Sequence, residues 1–258
     1  MGGAILEGWV DNGLAASDVS IVEPGQNAAG PLSAKGFNVV AGPDDLEDGF
    51  LPGVVFFAVK PQVMDEVAPP YRAYVDAETV FLSIAAGKTI AYFEKCLGTE
   101  AAIVRAMPNT PAAVRRGITV ACGNTNVSEV QKSMCLTLLG AVGVADWVED
   151  EDLIDAVTAL SGGGPAYVFL LAEVMAKAGI ASGLPAELSG RLARATVAGA
   201  GELLWQSDAA ASTLRENVTS PGGTTFEALQ VLMADDAWQL LMDGAIAAAT
   251  ARSKELAG

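Results

Sequence analysis

The chain has 258 residues, 51% of them hydrophobic, enough to bury a sizeable core, and at roughly 150 residues per domain its length points to two domains. A net charge of −16, with Arg115 and Arg116 as the only adjacent basic pair, argues against nucleic acid and anionic lipid as partners. Histidine is absent, which excludes His-based triads, His-ligated zinc and the commonest general base. Three cysteines without metal-type spacing (Cys96, Cys122 and Cys135) point to reduced thiols in a cytoplasm, with no metal site.

Met1 to Val10 lacks a basic n-region, and no apolar run approaches the roughly 20 residues needed to cross a bilayer. The expectation is a soluble, unexported protein with no membrane partner. Up to about residue 150, short β-branched or apolar runs alternate with helical segments, the pattern of a parallel sheet with crossover helices. Strands are predicted at 19–23, 37–40, 54–59, 80–84, 102–106, 118–121 and 144–148, and 61–74 and 128–139 have helical spacing.

The opening Met1-Gly2-Gly3-Ala4-Ile5-Leu6 reads as the first turn of a helix that starts on glycines, and the strand after it ends in an acidic residue, Glu23. That order is the back half of a dinucleotide-binding βαβ unit. In a complete unit a strand and two earlier glycines come first, and the pyrophosphate rests on N–H groups at the helix start. Glu23 suits the ribose hydroxyls and repels a 2′-phosphate, and no Arg follows it, which favours NADH over NADPH; the alternative is a solvated strand-end acid. Next, Phe57-Ala58-Val59-Lys60-Pro61-Gln62 runs from a strand into a Pro-started helix, where Lys60 either offsets phosphate charge or faces solvent. Met107-Pro108-Asn109-Thr110-Pro111 is a proline-stiffened loop whose amide and hydroxyl groups suit a nicotinamide carboxamide.

From Glu151 onward the strand signal stops and Ala- and Leu-rich helices are predicted at 165–181, 185–206 and 237–255. They carry more apolar and small residues than a solvent-facing helix needs, which points to packing between subunits. Ser161-Gly162-Gly163-Gly164-Pro165-Ala166-Tyr167 is a glycine-rich helix entry. Ser220-Pro221-Gly222-Gly223-Thr224-Thr225-Phe226-Glu227 is another: its spacing predicts a capping box in which Thr224 caps the helix and Glu227 reaches back. Thr225 is then free to face an anion held on the N–H groups of Gly222 to Thr225; the alternative, which the residues alone favour, is a capped helix start that holds no ligand.

Four segments, Ala58-Val59-Lys60-Pro61, Val104 to Pro111, Ser161 to Tyr167 and Ser220 to Thr225, together resemble pyrroline-5-carboxylate reductases, in that family's order and over the whole chain. The resemblance implies an α/β protein, with a Rossmann-like, mostly parallel sheet domain over 1–150 and an all-α dimerisation and substrate domain over 151–258. It implies reduction of 1-pyrroline-5-carboxylate to L-proline with NADPH or NADH, by a cytoplasmic homodimer or higher ring with its active site between subunits. It places Ser220, Gly222, Gly223, Thr224 and Thr225 on the substrate, with Thr225 at the imine nitrogen as the catalytic residue. It places Gly2, Ala58, Lys60, Pro61, Met107, Asn109 and Thr110, beside Glu23, at the cofactor. The family carries Ser where Gly163 stands and begins with a strand and glycine loop that end in a Met-Gly like Met1-Gly2, so this chain reads as starting inside that loop. Competing readings are a Rossmann-type reductase of hydroxy acids, which needs a Lys or His acid, and a non-catalytic helical oligomer.

Overall fold

In a computed structural model that describes residues 1–257, the chain divides into two compact units, one of Met1–Thr158 with the chain from Ser253, the other Ala159–Arg252. The first unit runs α1 (Gly2–Asp11), β1 (Ser20–Val22), α2 (Gln26–Ala34), β2 (Asn38–Val40), β3 (Val54–Phe57), α3 (Met64–Val67), β4 (Val80–Ser83), α4 (Ile90–Leu97), β5 (Ala102–Met107), β6 (Gly117–Gly123), α5 (Glu129–Gly140), β7 (Gly143–Trp147) and α6 (Leu153–Val157). The predicted strands are all present, within two residues at their ends.

The mostly parallel sheet is present as two sheets. β1 pairs with β2 in parallel, and β3 to β7 form a second sheet in chain order, parallel except for the antiparallel β5–β6 pair. Ladder register puts Phe57 opposite Ser83, and Ser83 opposite Arg105, so β3, β4 and β5 end together on one side. Alternation along β5 sends Ile103 and Met107 to one face and Val104 and Ala106 to the other, each face covered by its own apolar cluster. In the first cluster Phe93, fully buried, stacks on Phe57 with ring centroids 5.5 Å apart.

Helix α1 is held by specific contacts. Trp9 meets Phe56 edge-on at 5.1 Å and donates its indole N–H to the Leu138 carbonyl at 2.8 Å. Gly8 is required by close approach, since a Cβ there would lie 2.7 Å from Val142 Cγ1. Arg115, half of the basic pair, donates to the Ala4 carbonyl at 3.1 Å and pairs with Asp11, so it clamps α1 to the turn after β5. The helix expected over 61–74 is interrupted. Pro61 opens one 3₁₀ turn, α3 has four residues, and Pro69-Pro70 starts another 3₁₀ segment, because each proline removes a backbone donor. Ser128 and Gln131 form a complete capping box at α5.

The second unit contains α7 (Gly164–Ala181), α8 (Ala186–Gln206), α9 (Ala211–Asn217), α10 (Thr224–Leu232) and most of α11 (Ala237–Ala257). α7 and α8 form a hairpin pinned where Ser189 Oγ donates to the Ala176 carbonyl at 2.7 Å; a Cβ on Gly179 would stand 2.2 Å from that oxygen. No residue of α7 is buried, and Phe169, Leu203, Leu240 and Leu241 are each more than 60% exposed. One expectation is corrected here. Helicity continues through the π-helical turn Thr158–Gly162, giving a helical stretch, Leu153–Ala181, long and apolar enough by length and composition to cross a membrane. Its glycines interrupt the apolar run in the sequence, but the backbone bridges them.

Truncating Phe93→Ala removes a ring with no solvent contact and is expected to cost about 3–5 kcal/mol, read as a lowered denaturation midpoint at unchanged m-value.

Candidate active site

One candidate site, in the first unit, is the carboxyl edge of β3, β4 and β5. In open α/β sheets ligands bind in the crevice beyond that edge. Ala58 and Lys60 are exposed just past β3, with Pro61 half-buried. Gly2 opens α1 directly against this segment: a Cβ on Gly2 would lie 2.7 Å from Ala58 Cβ, so the helix starts this close to the strand end only because that residue is glycine. This close approach fits a nicotinamide dinucleotide, whose phosphates need backbone donors and no bulk.

Of the loop residues after β5, Met107 is buried in the core beneath the crevice and Thr110 is exposed. Asn109 does more than face a ligand: its Oδ1 accepts from the Ile118 N–H at 3.0 Å, fastening the β5–β6 connection. The structure adds residues that the sequence did not single out. Lys88, after β4, pairs with Asp65 at 2.7 Å, and Asp65 accepts from the Tyr92 hydroxyl at 2.8 Å. The Lys88 hydrogen bond, then that of Tyr92, holds the Asp65 carboxyl below its ordinary range. Burial, then the hydrogen bond to Asp65, raises the Tyr92 phenol. The cluster ties α3 to the start of α4. Its signal in the sequence is only a Lys and a Tyr four residues apart.

Beneath the crevice lies a buried charge. Arg105, 4% exposed at its side chain, donates through Nη1 to Glu151 at 2.8 Å, and the same carboxylate oxygen accepts from the Ile90 N–H at 2.9 Å, which joins β5 to the start of α4. Nη2 is buried without a hydrogen-bond partner. Burial pushes the Cys122 thiol up to about 12, reinforced by Glu151, and burial alone pushes Cys135 up to about 12. These two are core thiols, with no nucleophilic role. Among the described residues no group of His, Cys, Asp and Glu suits a metal.

The second unit, taken by itself, holds another candidate, the turn into α10. Gly222 has φ +67, a value that favours glycine, and the Gly223 N–H donates to the Ser220 carbonyl at 3.0 Å, closing a turn that runs into α10. The capping box expected of Thr224 and Glu227 is not formed. Gly223 is the N-cap, Thr224 is the first helical residue, and no side chain caps the end. The glycine turn lets the helix start one residue earlier than the spacing predicts. First-turn N–H groups, from Thr224 to Phe226, therefore have no partner within the helix and face outward beside the exposed hydroxyls of Ser220, Thr224 and Thr225. In the Ser161 motif, a Cβ on Gly163 would stand 2.8 Å from the Tyr167 hydroxyl, which donates to the Ala159 carbonyl at 2.9 Å. A shallow hollow of about 500 Å³, lined by Glu129, Val130, Ser133, Met134, Thr137 and Leu138, lies on α5.

An α/β unit with an open crevice beyond its strand ends, and a helical unit that exposes its apolar faces and opens a helix on uncapped N–H groups, fit the class of dinucleotide-dependent oxidoreductases with a helical association domain. A family profile described as pyrroline-5-carboxylate reductase dimerisation matches residues 151–256. The pyrroline-5-carboxylate reductase of Pseudomonas aeruginosa is 37% identical over 257 residues, covering 100% of this chain and 93% of that protein. That of Haemophilus influenzae is 36% identical over 257 residues, covering 99% and 94%. A solved pyrroline-5-carboxylate reductase from Coxiella burnetii matches with a TM-score of 0.92 at 34% identity, covering 100% of this chain and 95% of its own. Plasmodium falciparum pyrroline carboxylate reductase, solved with NADP bound, matches with a TM-score of 0.80 at 29% identity, covering 100% and 95%. The chain belongs to the pyrroline-5-carboxylate reductase family.

In the native protein a thiol reagent at mildly alkaline pH is expected to modify half-buried Cys96 first. Cys122 and Cys135 should react only on unfolding, which the stoichiometry of thiol release with and without denaturant measures.

Proposed function

We propose that this protein reduces 1-pyrroline-5-carboxylate to L-proline with NADPH or NADH, the last step of proline biosynthesis. The observation that carries this reading is full-length similarity to pyrroline-5-carboxylate reductases in a chain that holds both the crevice and the Ser220–Thr225 turn. When bound, the reduced nicotinamide supplies the hydride that adds to the imine carbon. The N–H groups of Gly222 to Thr225 hold the substrate carboxylate, supported by the Ser220 hydroxyl and the positive end of α10. Thr225 directs its hydroxyl to the ring nitrogen and fixes the imine for attack. A protonated cyclic imine is already electrophilic, so positioning is the main demand, and a chain without histidine meets it.

At the crevice, Gly2 gives the pyrophosphate access to backbone N–H groups, Ala58, Lys60 and Pro61 border it, and Thr110 offers its hydroxyl beside the nicotinamide. Met107 and Asn109 set the floor and the shape of the loop. The exposed apolar faces of α7, α8 and α11 are the self-association surface of a homodimer, from which a higher ring is built. A partner copy covering them accounts for the apolar stretch Leu153–Ala181 without a bilayer, consistent with a cytoplasmic enzyme.

Thr225→Ala is expected to lower kcat for pyrroline-5-carboxylate reduction by about 100-fold while Thr225→Ser keeps most of it. Unchanged turnover in the alanine variant would remove the hydroxyl from the mechanism. Replacing Leu240 and Leu241 together by Glu is expected to shift the protein to monomer in size-exclusion chromatography with light scattering, with loss of activity.

A further inference from the structure

The end of β1 carries an observation that the reaction does not use. Glu23 continues that strand, its N–H donating to the Val40 carbonyl at 2.9 Å, and its Oε1 accepts from the Gly25 N–H at 2.8 Å. Gly25 is the N-cap of α2, where a helix offers free N–H groups to an anion. The Glu23 carboxylate therefore stands at the entry to that helix, held by the N-cap residue's own N–H. The clasp depends on glycine, because a Cβ on Gly25 would lie 2.9 Å from Oε1. Among the described residues, no hydrogen bond is made by Glu23 Oε2, which is left to face a ligand.

The surroundings have the same sign. β1 and β2 run parallel with Val22 opposite Val40, so the turn after β2, with Asp44, Asp45, Glu47 and Asp48, opens on the side where Glu23 stands. Between residues 20 and 59 the one cation is Lys35. It follows the carboxyl end of α2, the end that returns into the start of β2, and it pairs with Glu7 of α1 at 3.3 Å. A ribose at the end of β1 thus meets an oriented carboxylate that accepts from its two hydroxyls. A 2′-phosphate there meets a negative charge at contact distance, with no lysine or arginine from this stretch to offset it.

We propose that Glu23, fixed on the Gly25 N–H and backed by the acidic turn after β2, selects NADH and rejects NADPH. This rests on the reductase reading and deepens it by naming the cofactor form. Isothermal titration of the whole protein at low ionic strength measures the two dissociation constants without turnover. NADH is expected to bind at least about tenfold more tightly than NADPH, the size of a single and a double charge held roughly 6 Å apart in near-aqueous surroundings. In Glu23→Gln the ratio should fall by about the same factor, with NADPH gaining and NADH losing affinity. An Asp44→Asn/Asp45→Asn double variant, which leaves the clasp intact, should raise NADPH affinity alone, and added salt should erase that gain. NADPH binding as tightly as NADH in the wild type, or a ratio unmoved by Glu23→Gln, overturns the selection while leaving proline formation with either dinucleotide intact. Absence of binding by both overturns the selection and the reductase reading together.

Discussion

With 31 carboxylates against 15 cationic side chains, the anion sites proposed for this protein draw chiefly on backbone N–H groups. Backbone donors are available only where a helix begins or a turn exposes them, and a ligand reaches them only where side chains stay out of the way. Gly2 against Ala58, Gly222 at positive φ and Gly223 as the N-cap of α10 meet those conditions, at the start of α1 and the start of α10. Glu23, held on the Gly25 N–H, places the protein's own acid at the entry to α2.

Such donors are useful only if they do not move, and the rest of the first unit is built to fix them. α1 is fastened by Trp9 to Phe56 and Leu138, and by Arg115 to Ala4 and Asp11. The strand ends that form the crevice are set by ladder register, while Glu151 gathers Arg105 and the first N–H of α4 onto one oxygen. A buried guanidinium is costly to leave uncompensated, so this carboxylate fixes the loop after β7 as firmly as an apolar contact would. In the second unit the economy is reversed. Its helices are joined by one close hairpin and leave large apolar side chains in contact with solvent, as suits faces completed by another copy.

Strand positions, the all-helical second half and all four family segments were legible in the sequence, because alternation, helical spacing and glycine or proline punctuation are local properties. Three features were not. The 61–74 helix is broken by Pro61 and Pro69-Pro70, a departure the prolines themselves announce. At Thr224 the spacing of a capping box was genuine, but the positive φ of Gly222 shifts the start of the helix by one residue and leaves Gly223 in the capping position. Asn109 reads as a ligand-facing amide, yet its oxygen is engaged by Ile118, nine residues away.

What the sequence determined alone was the order of elements, the scarcity of cations, the lack of histidine and the glycines at the helix starts, since each is a matter of residue type and short-range spacing. The tertiary structure decided what those residues touch. It joined Asp65 of α3 to Lys88 before α4 and Tyr92 within it, brought Glu151 onto Arg105 from 46 residues away, and turned Arg115 from a surface cation into the clamp of α1. Long-range pairs of this kind depend on strand register and helix placement, which no local window of sequence contains.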